Sequence, residues 1–243
     1  MSNIIEIQNS NHLGDSIINF IFFYKIKDYI ESNNIIIHYY CHTQYHKNLL
    51  EFKCSDNIII LDWQDKGYVL WQGSNTPKLH YVEDYLCGMF NNFLINFNIP
   101  ISVDSFEYQD IDLQKRFVEL DDKYKNIDIL IINSQPLSGQ YNNYSKGEWD
   151  NFIIKLTEKY KVATSAYVNN DIISLHDMSV KNIAAIALNV KKIIAINTGP
   201  SIPLYNTDVL NNVENIYLFT NNYDNFKTRK IQVMQNLQEI YHL

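Results

Sequence analysis

Short β-branched runs and longer amphipathic stretches take turns along this chain from one end to the other, and that alternation limits its fold more than any other feature. "IIEIQ" (residues 4–8), "DILIIN" (128–133) and "KIIAIN" (192–197) are short runs rich in β-branched residues. They read as strands of a largely parallel sheet. The same reasoning predicts strands at Ile4–Gln8, Asn34–Tyr40, Asn57–Leu61, Tyr68–Trp71, Asp128–Asn133, Lys161–Ser165, Ile172–Ser174, Lys192–Asn197 and Asn215–Phe219. Helices are expected at Ser16–Glu31, Gln44–Phe52, Val82–Phe97, Lys146–Lys159, Val180–Leu188 and Asn225–His242. Strands alternating with helices imply βαβ units, hence an α/β fold.

The alternation breaks once, in the polar stretch 98–128, which contains the acidic pair Asp121-Asp122. This stretch reads as a crossover between an N-terminal domain, residues 1–120, and a C-terminal domain, residues 121–243. Two halves of about 120 residues are each large enough for a Rossmann-like domain. Their strand ends are expected to face each other across an interdomain cleft, where such folds bind ligands.

Composition narrows the function. With 46% hydrophobic and 19% charged residues the chain can bury a core. A net charge of −7 argues against general nucleic-acid binding, although two or three local donors suffice for a small anion. Cys41, Cys54 and Cys87 are odd in number and lack C-x-x-C spacing, so neither a disulfide framework nor a zinc ribbon is indicated. No signal-peptide pattern opens the chain and no apolar run reaches the length of a transmembrane segment, so a soluble, cytoplasmic protein is expected.

Two loops carry the chemistry. In "NSNHLGDSIINF" (9–20) Gly14 permits a turn, and Asp15 either caps the following helix or serves as a general base. In "NTGPSIPLY" (197–205) the small residues Thr198, Gly199, Pro200 and Ser201 make either a plain βα turn or an anion-binding nest of backbone N–H groups. A third segment, residues 132–153, offers Ser134 and Ser138 hydroxyls, the charge of Lys146 and the apolar Trp149. His42 and His46, four apart, have metal-ligand spacing but no third ligand near them in sequence. Trp63 and Trp71 read as packing residues.

Taken in order, these segments resemble the heptosyltransferase-like glycosyltransferases of family 9, which have the GT-B fold. The match lies in His12-Leu13-Gly14-Asp15-Ser16-Ile17-Ile18, in Ile132-Asn133-Ser134 followed by Lys146 and Trp149, and in residues 178–202. Asn197 stands where the family has Asp, Ile202 where it has His, and one more residue separates Lys146 from Trp149. The resemblance implies a GT-B-like pair of Rossmann-like domains that transfers a sugar from a nucleoside diphosphate sugar to the hydroxyl of a glycan, glycolipid or other acceptor, with inversion. Asp15 would then be the base, with Asn11, His12 and Gly14 on the acceptor side. Ser134, Lys146, Asn197, Thr198, Gly199, Pro200 and Ser201 would hold the donor, with no metal and no cofactor besides the nucleotide sugar. A sugar-nucleotide epimerase or hydrolase, or a non-catalytic binding module, would use the same frame.

Overall fold

The computed structural model describes residues 3–70, 82–137, 139–221 and 230–243. The chain forms two compact units, Met1–Gln109 and Asp110–Leu243. Trp71 and Ser138 lie outside the described residues.

The first unit runs β1 (Asn3–Asn9), α1 (Leu13–Ser32), β2 (Ile35–Cys41), α2 (His46–Phe52), β3 (Ile58–Asp62), β4 (Tyr68–Val69) and α3 (Val82–Asn96). Its strands form a parallel sheet in the order β3-β2-β1-β4. Ile17, Phe20, Ile21, Phe22 and Phe23 are all buried, which covers α1 on every side. A helix apolar all round has to be sandwiched. Phe20 and Phe23 meet Tyr39 of β2 edge-on, while Phe22 stacks on Phe90 of α3 with ring centroids 4.4 Å apart. At Gly67, φ is +93° and an added Cβ would fall 2.5 Å from the Glu6 carbonyl oxygen, so only glycine lets the chain enter β4 this close to β1.

The second unit runs α4 (Asp112–Glu119), β5 (Ile129–Ile132), α5 (Lys146–Leu156), β6 (Val162–Thr164), β7 (Ile173–Ser174), α6 (Val180–Ala187), β8 (Lys192–Ile196), α7 (Thr207–Asn212), β9 (Asn215–Phe219) and β10 (Ile231–Met234). The parallel sheet has the order β7-β6-β5-β8-β9-β10. Numbered from β5, this is the 3-2-1-4-5-6 order of a doubly wound nucleotide-binding sheet. Its strands send alternate residues to two cores. Leu130, Ile132, Ile193, Ala195, Ile216 and Leu218 join α6 and α7 on one face. Ile129, Ile131, Ile194, Ile196, Tyr217 and Phe219 join Trp149, Phe152 and Ile153 of α5 on the other. The uninterrupted apolar runs seen in the sequence follow from this two-sided burial.

Two features beyond residue 97 depart from the sequence reading. Within the described part of Asn225–His242 there is no α-helix; residues 231–234 form β10, and a short 3-10 turn covers Leu237–Ile240. Pairing of Ile231, Gln232, Val233 and Met234 with β9 supplies backbone partners, and Ile231 and Val233 suit a strand better than a helix. The polar stretch 98–128 contains α4, which packs on α6 through Leu113 and Phe117. Lys181 of α6 reaches Asp110 at 2.8 Å with both side chains buried, and Arg116 donates to Asn182 at 2.9 Å. Among the described residues no helix is long and apolar enough to cross a membrane.

Candidate active site

In each unit, one candidate loop leaves the sheet at the point where strand order reverses. In the first unit the chain leaves β1, between β2 and β4, through Ser10, Asn11 and His12. Buried Asn9 at the end of β1 shapes the exit: its Oδ1 accepts from the Asn11 N–H at 2.8 Å, and its Nδ2 donates to the Tyr39 hydroxyl at 3.1 Å. Asn19 Nδ2 donates to the same hydroxyl at 2.9 Å, which fastens the second turn of α1 to β2. Burial pushes the Tyr39 hydroxyl pKa well up, so it stays neutral and serves as an anchor.

α1 begins at Leu13, three residues earlier than Ser16, so Gly14 and Asp15 lie in its first turn. Asp15 Oδ2 accepts the backbone N–H of His12, the N-cap residue, at 3.1 Å. Asp15 therefore does act as a cap. Its carboxyl is also half-buried, and burial raises its pKa against the opposing pull of the His12 hydrogen bond. Raised basicity suits a proton acceptor, and it does not follow from capping. Asn11, His12, Gly14 and Asp15 thus share one turn.

The second unit places two of its candidate loops at the ends of adjacent strands. Ile132 of β5 pairs with Ala195 of β8, so the chain leaves these neighbours through Asn133-Ser134 and through Asn197–Ser201 at the switch point of the sheet. Asn133 Oδ1 accepts the Ala166 N–H at 2.8 Å, which fixes the β5 exit to the chain beyond β6. The Ser134 hydroxyl lies 2.9 Å from that of Ser165. Lys146 is the first residue of α5, exposed and paired with Asp150 one turn on, a partner that raises its pKa. Trp149 is a core residue whose ring meets Phe219 edge-on at 4.9 Å.

The turn after β8 is held from within. Thr198 N–H donates to Ser201 Oγ at 3.2 Å, and Ser201 N–H donates to the Thr198 carbonyl at 2.9 Å. Pro200 has no N–H, so among these four residues Gly199 keeps a backbone donor outside that pair of bonds. Asn197 Nδ2 donates to Thr220 Oγ1 at 3.2 Å, and Thr220 and Asn221 bond in turn to Gln140. Sequence reading missed Thr220, Asn221 and Gln140. These contacts join positions 23 and 80 residues apart, so no local pattern announces them.

No protein-family model matches the sequence, and no match was found among the curated proteins. Solved structures do match. Escherichia coli heptosyltransferase WaaC with ADP-2-deoxy-2-fluoro heptose aligns over 95% of this chain and 92% of its own, with TM-score 0.59 and 9% identity. The chain has the fold of the heptosyltransferases. E. coli ADP-heptose lps heptosyltransferase II aligns over 96% of this chain and 90% of its own, with TM-score 0.58 and 11% identity. A family 9 glycosyl transferase from Veillonella parvula DSM 2008 aligns over 97% and 86%, with TM-score 0.53 and 11% identity. The heptosyltransferase fold thus extends over both units, although about nine residues in ten differ.

His42 and His46 do not share a helix face. His42 precedes α2, with its Nε2 3.2 Å from the Ser10 carbonyl oxygen, while His46 opens α2 with its Nε2 3.8 Å from Asp62. Among the described residues no cluster of three or more His, Cys, Asp or Glu is placed to hold a metal ion.

Proposed function

We propose that this protein is an inverting glycosyltransferase acting in the cytoplasm on a nucleoside diphosphate sugar and the hydroxyl of a glycan, glycolipid or other acceptor. One observation carries the reading: in a heptosyltransferase fold, the Asp15 turn and the Asn197–Ser201 turn each leave their own sheet at its switch point, where such sheets bind ligands. The related WaaC structures contain ADP or an ADP-heptose analogue, which supports a nucleotide-sugar donor.

In this mechanism Asp15 takes the proton of the acceptor hydroxyl as that oxygen forms a bond to the anomeric carbon. The bond from that carbon to the diphosphate oxygen breaks, and the nucleoside diphosphate leaves with the electron pair. Asn11, His12 and Gly14 shape the acceptor side. Lys146, the Ser134 hydroxyl, Asn197 and the Gly199 N–H stabilise the departing diphosphate, while Thr198, Pro200 and Ser201 keep the turn tight against it. No metal or further cofactor enters this scheme.

Lys146 must give up Asp150 to serve, and the magnitudes allow it. An exposed i,i+4 ion pair contributes about 0.3–0.5 kcal/mol, far less than a doubly charged diphosphate offers the same ammonium group. The lysine also opposes the positive end of α5, a placement that helix stability alone disfavours.

A panel of ADP, UDP, GDP and CDP sugars tested by thermal shift checks the donor half. A cognate donor at a hundredfold excess over Kd stabilises by about 2.7 kcal/mol. Lys146→Ala should keep the unliganded Tm and lose most of the ligand shift. Donor affinity equal to wild type would remove Lys146 from the site.

A further inference from the structure

Beside the Asp15 turn the first unit carries an aromatic surface that the scheme above leaves unused. The His42 and Trp63 rings lie nearly parallel, with an interplanar angle of 18° and centroids 6.0 Å apart, an offset stack. Tyr45 meets His42 edge-on at 5.9 Å. These rings come from two strand exits, His42 just after β2 and Trp63 just after β3. Trp63 is not a core residue, being 42% exposed. His42 Nε2 also reaches the Ser10 carbonyl oxygen at 3.2 Å, so the stack is tied to the loop that leads into Asp15.

The polar groups around the stack indicate what it takes. Asp62, next to Trp63, accepts from the Thr43 hydroxyl at 2.7 Å through Oδ1, and its side chain is 73% exposed. A carboxylate with open lone pairs accepts from hydroxyl groups and repels phosphate. Lys66, a nearby cation in sequence, is engaged with Glu6. A flat apolar face bordered by a hydroxyl acceptor matches a neutral pyranose ring, which has C–H groups on its face and hydroxyls on its rim. The same carboxylate disfavours a phosphate or an anionic headgroup lying against the stack.

We propose that Trp63, backed by His42 and bordered by Asp62, is a binding platform for a sugar ring of the acceptor, which makes the acceptor a glycan. This rests on the transferase reading and extends it to the acceptor's chemistry. Trp63 is a positioning residue in this role, and Asp15 keeps the proton transfer.

The test follows the tryptophan indole N–H signals by NMR in the full-length protein. Methyl α-glucoside, methyl β-galactoside, methyl α-mannoside and methyl β-N-acetylglucosaminide are titrated separately, with open-chain sorbitol and ADP as controls. Trp63→Phe identifies the Trp63 signal. At least one glycoside should shift it in a saturable way while the signal of buried Trp149 stays fixed and sorbitol and ADP leave Trp63 unmoved. His42→Ala should weaken that binding about two- to tenfold. The platform is refuted if no glycoside moves the Trp63 signal, or if sorbitol or ADP moves it as much. The two failures are distinguishable. Nucleotide-sugar binding without any glycoside effect removes the platform and leaves the transferase, whereas a glycoside effect without nucleotide-sugar binding or transfer leaves a sugar-binding surface and removes both the transferase and the acceptor role of that surface.

Discussion

Asp15 joins two roles that a substitution can separate. Burial holds its folded pKa above the ordinary aspartate value of about 3.9. The folded state therefore binds more protons than the unfolded state between those two values, and stability falls as pH rises through that window. Asp15→Asn keeps an oxygen for the His12 N–H and removes the titration. It should match or exceed wild-type Tm above the window, with an advantage that vanishes at lower pH. A mere cap would show no such pH-dependent gain on neutralisation, so a Tm difference that is flat with pH counts against the buried-carboxylate account. Tyr39 makes a second residue-scale case. Tyr39→Phe leaves the amides of Asn9 and Asn19 without their shared acceptor, which should cost about 1–3 kcal/mol in denaturant unfolding. A loss within error would mean that water replaces the hydroxyl. Gly14 and Asp15 were legible in the sequence because a strand, a short loop and a helix follow one another there. The anchor beneath them was not, since Asn9, Asn19 and Tyr39 meet only once β1, α1 and β2 have packed.

The elements that were legible are those whose pattern reflects their own burial. Runs such as Ile129–Ile132 and Ile193–Ile196 are apolar throughout because both faces of their sheet are covered. β10 was not legible, because an edge strand needs only β9 to define it and its alternation is weak. α4 was hidden for a different reason: it exposes most of its surface and enters the core mainly through Leu113. What holds α4 in place is long-range, namely the buried Lys181–Asp110 pair just ahead of it and the Arg116–Asn182 bond. Lys181→Ala would strand a buried carboxylate and should destabilise the protein by about 3–5 kcal/mol, read from the shift of the unfolding midpoint. A change below 1 kcal/mol, the size of a surface pair, would show that Asp110 escapes to solvent.

At the scale of the molecule, two sheets of unequal size each carry a candidate loop where strand order reverses, and the alignment with heptosyltransferase structures covers 95% of the chain. Alternating strands and helices made the α/β class readable. The order of the strands was not readable, because pairing of β5 with β8, whose partners are 63 positions apart, depends on packing that local pattern does not record. That order is what turns two short loops into candidate sites. With a net charge of −7, the proposed anionic donor would have to be met by a few local donors. The most direct measurement of the central claim is release of nucleoside diphosphate from the cognate donor, with and without a glycan acceptor, in wild type and Asp15→Asn. Release in wild type should depend on the acceptor and give a product of inverted anomeric configuration. Asp15→Asn should lower turnover by about 10²–10⁴-fold with donor affinity unchanged. Acceptor-independent turnover, or an Asp15→Asn variant as active as wild type, would contradict the account.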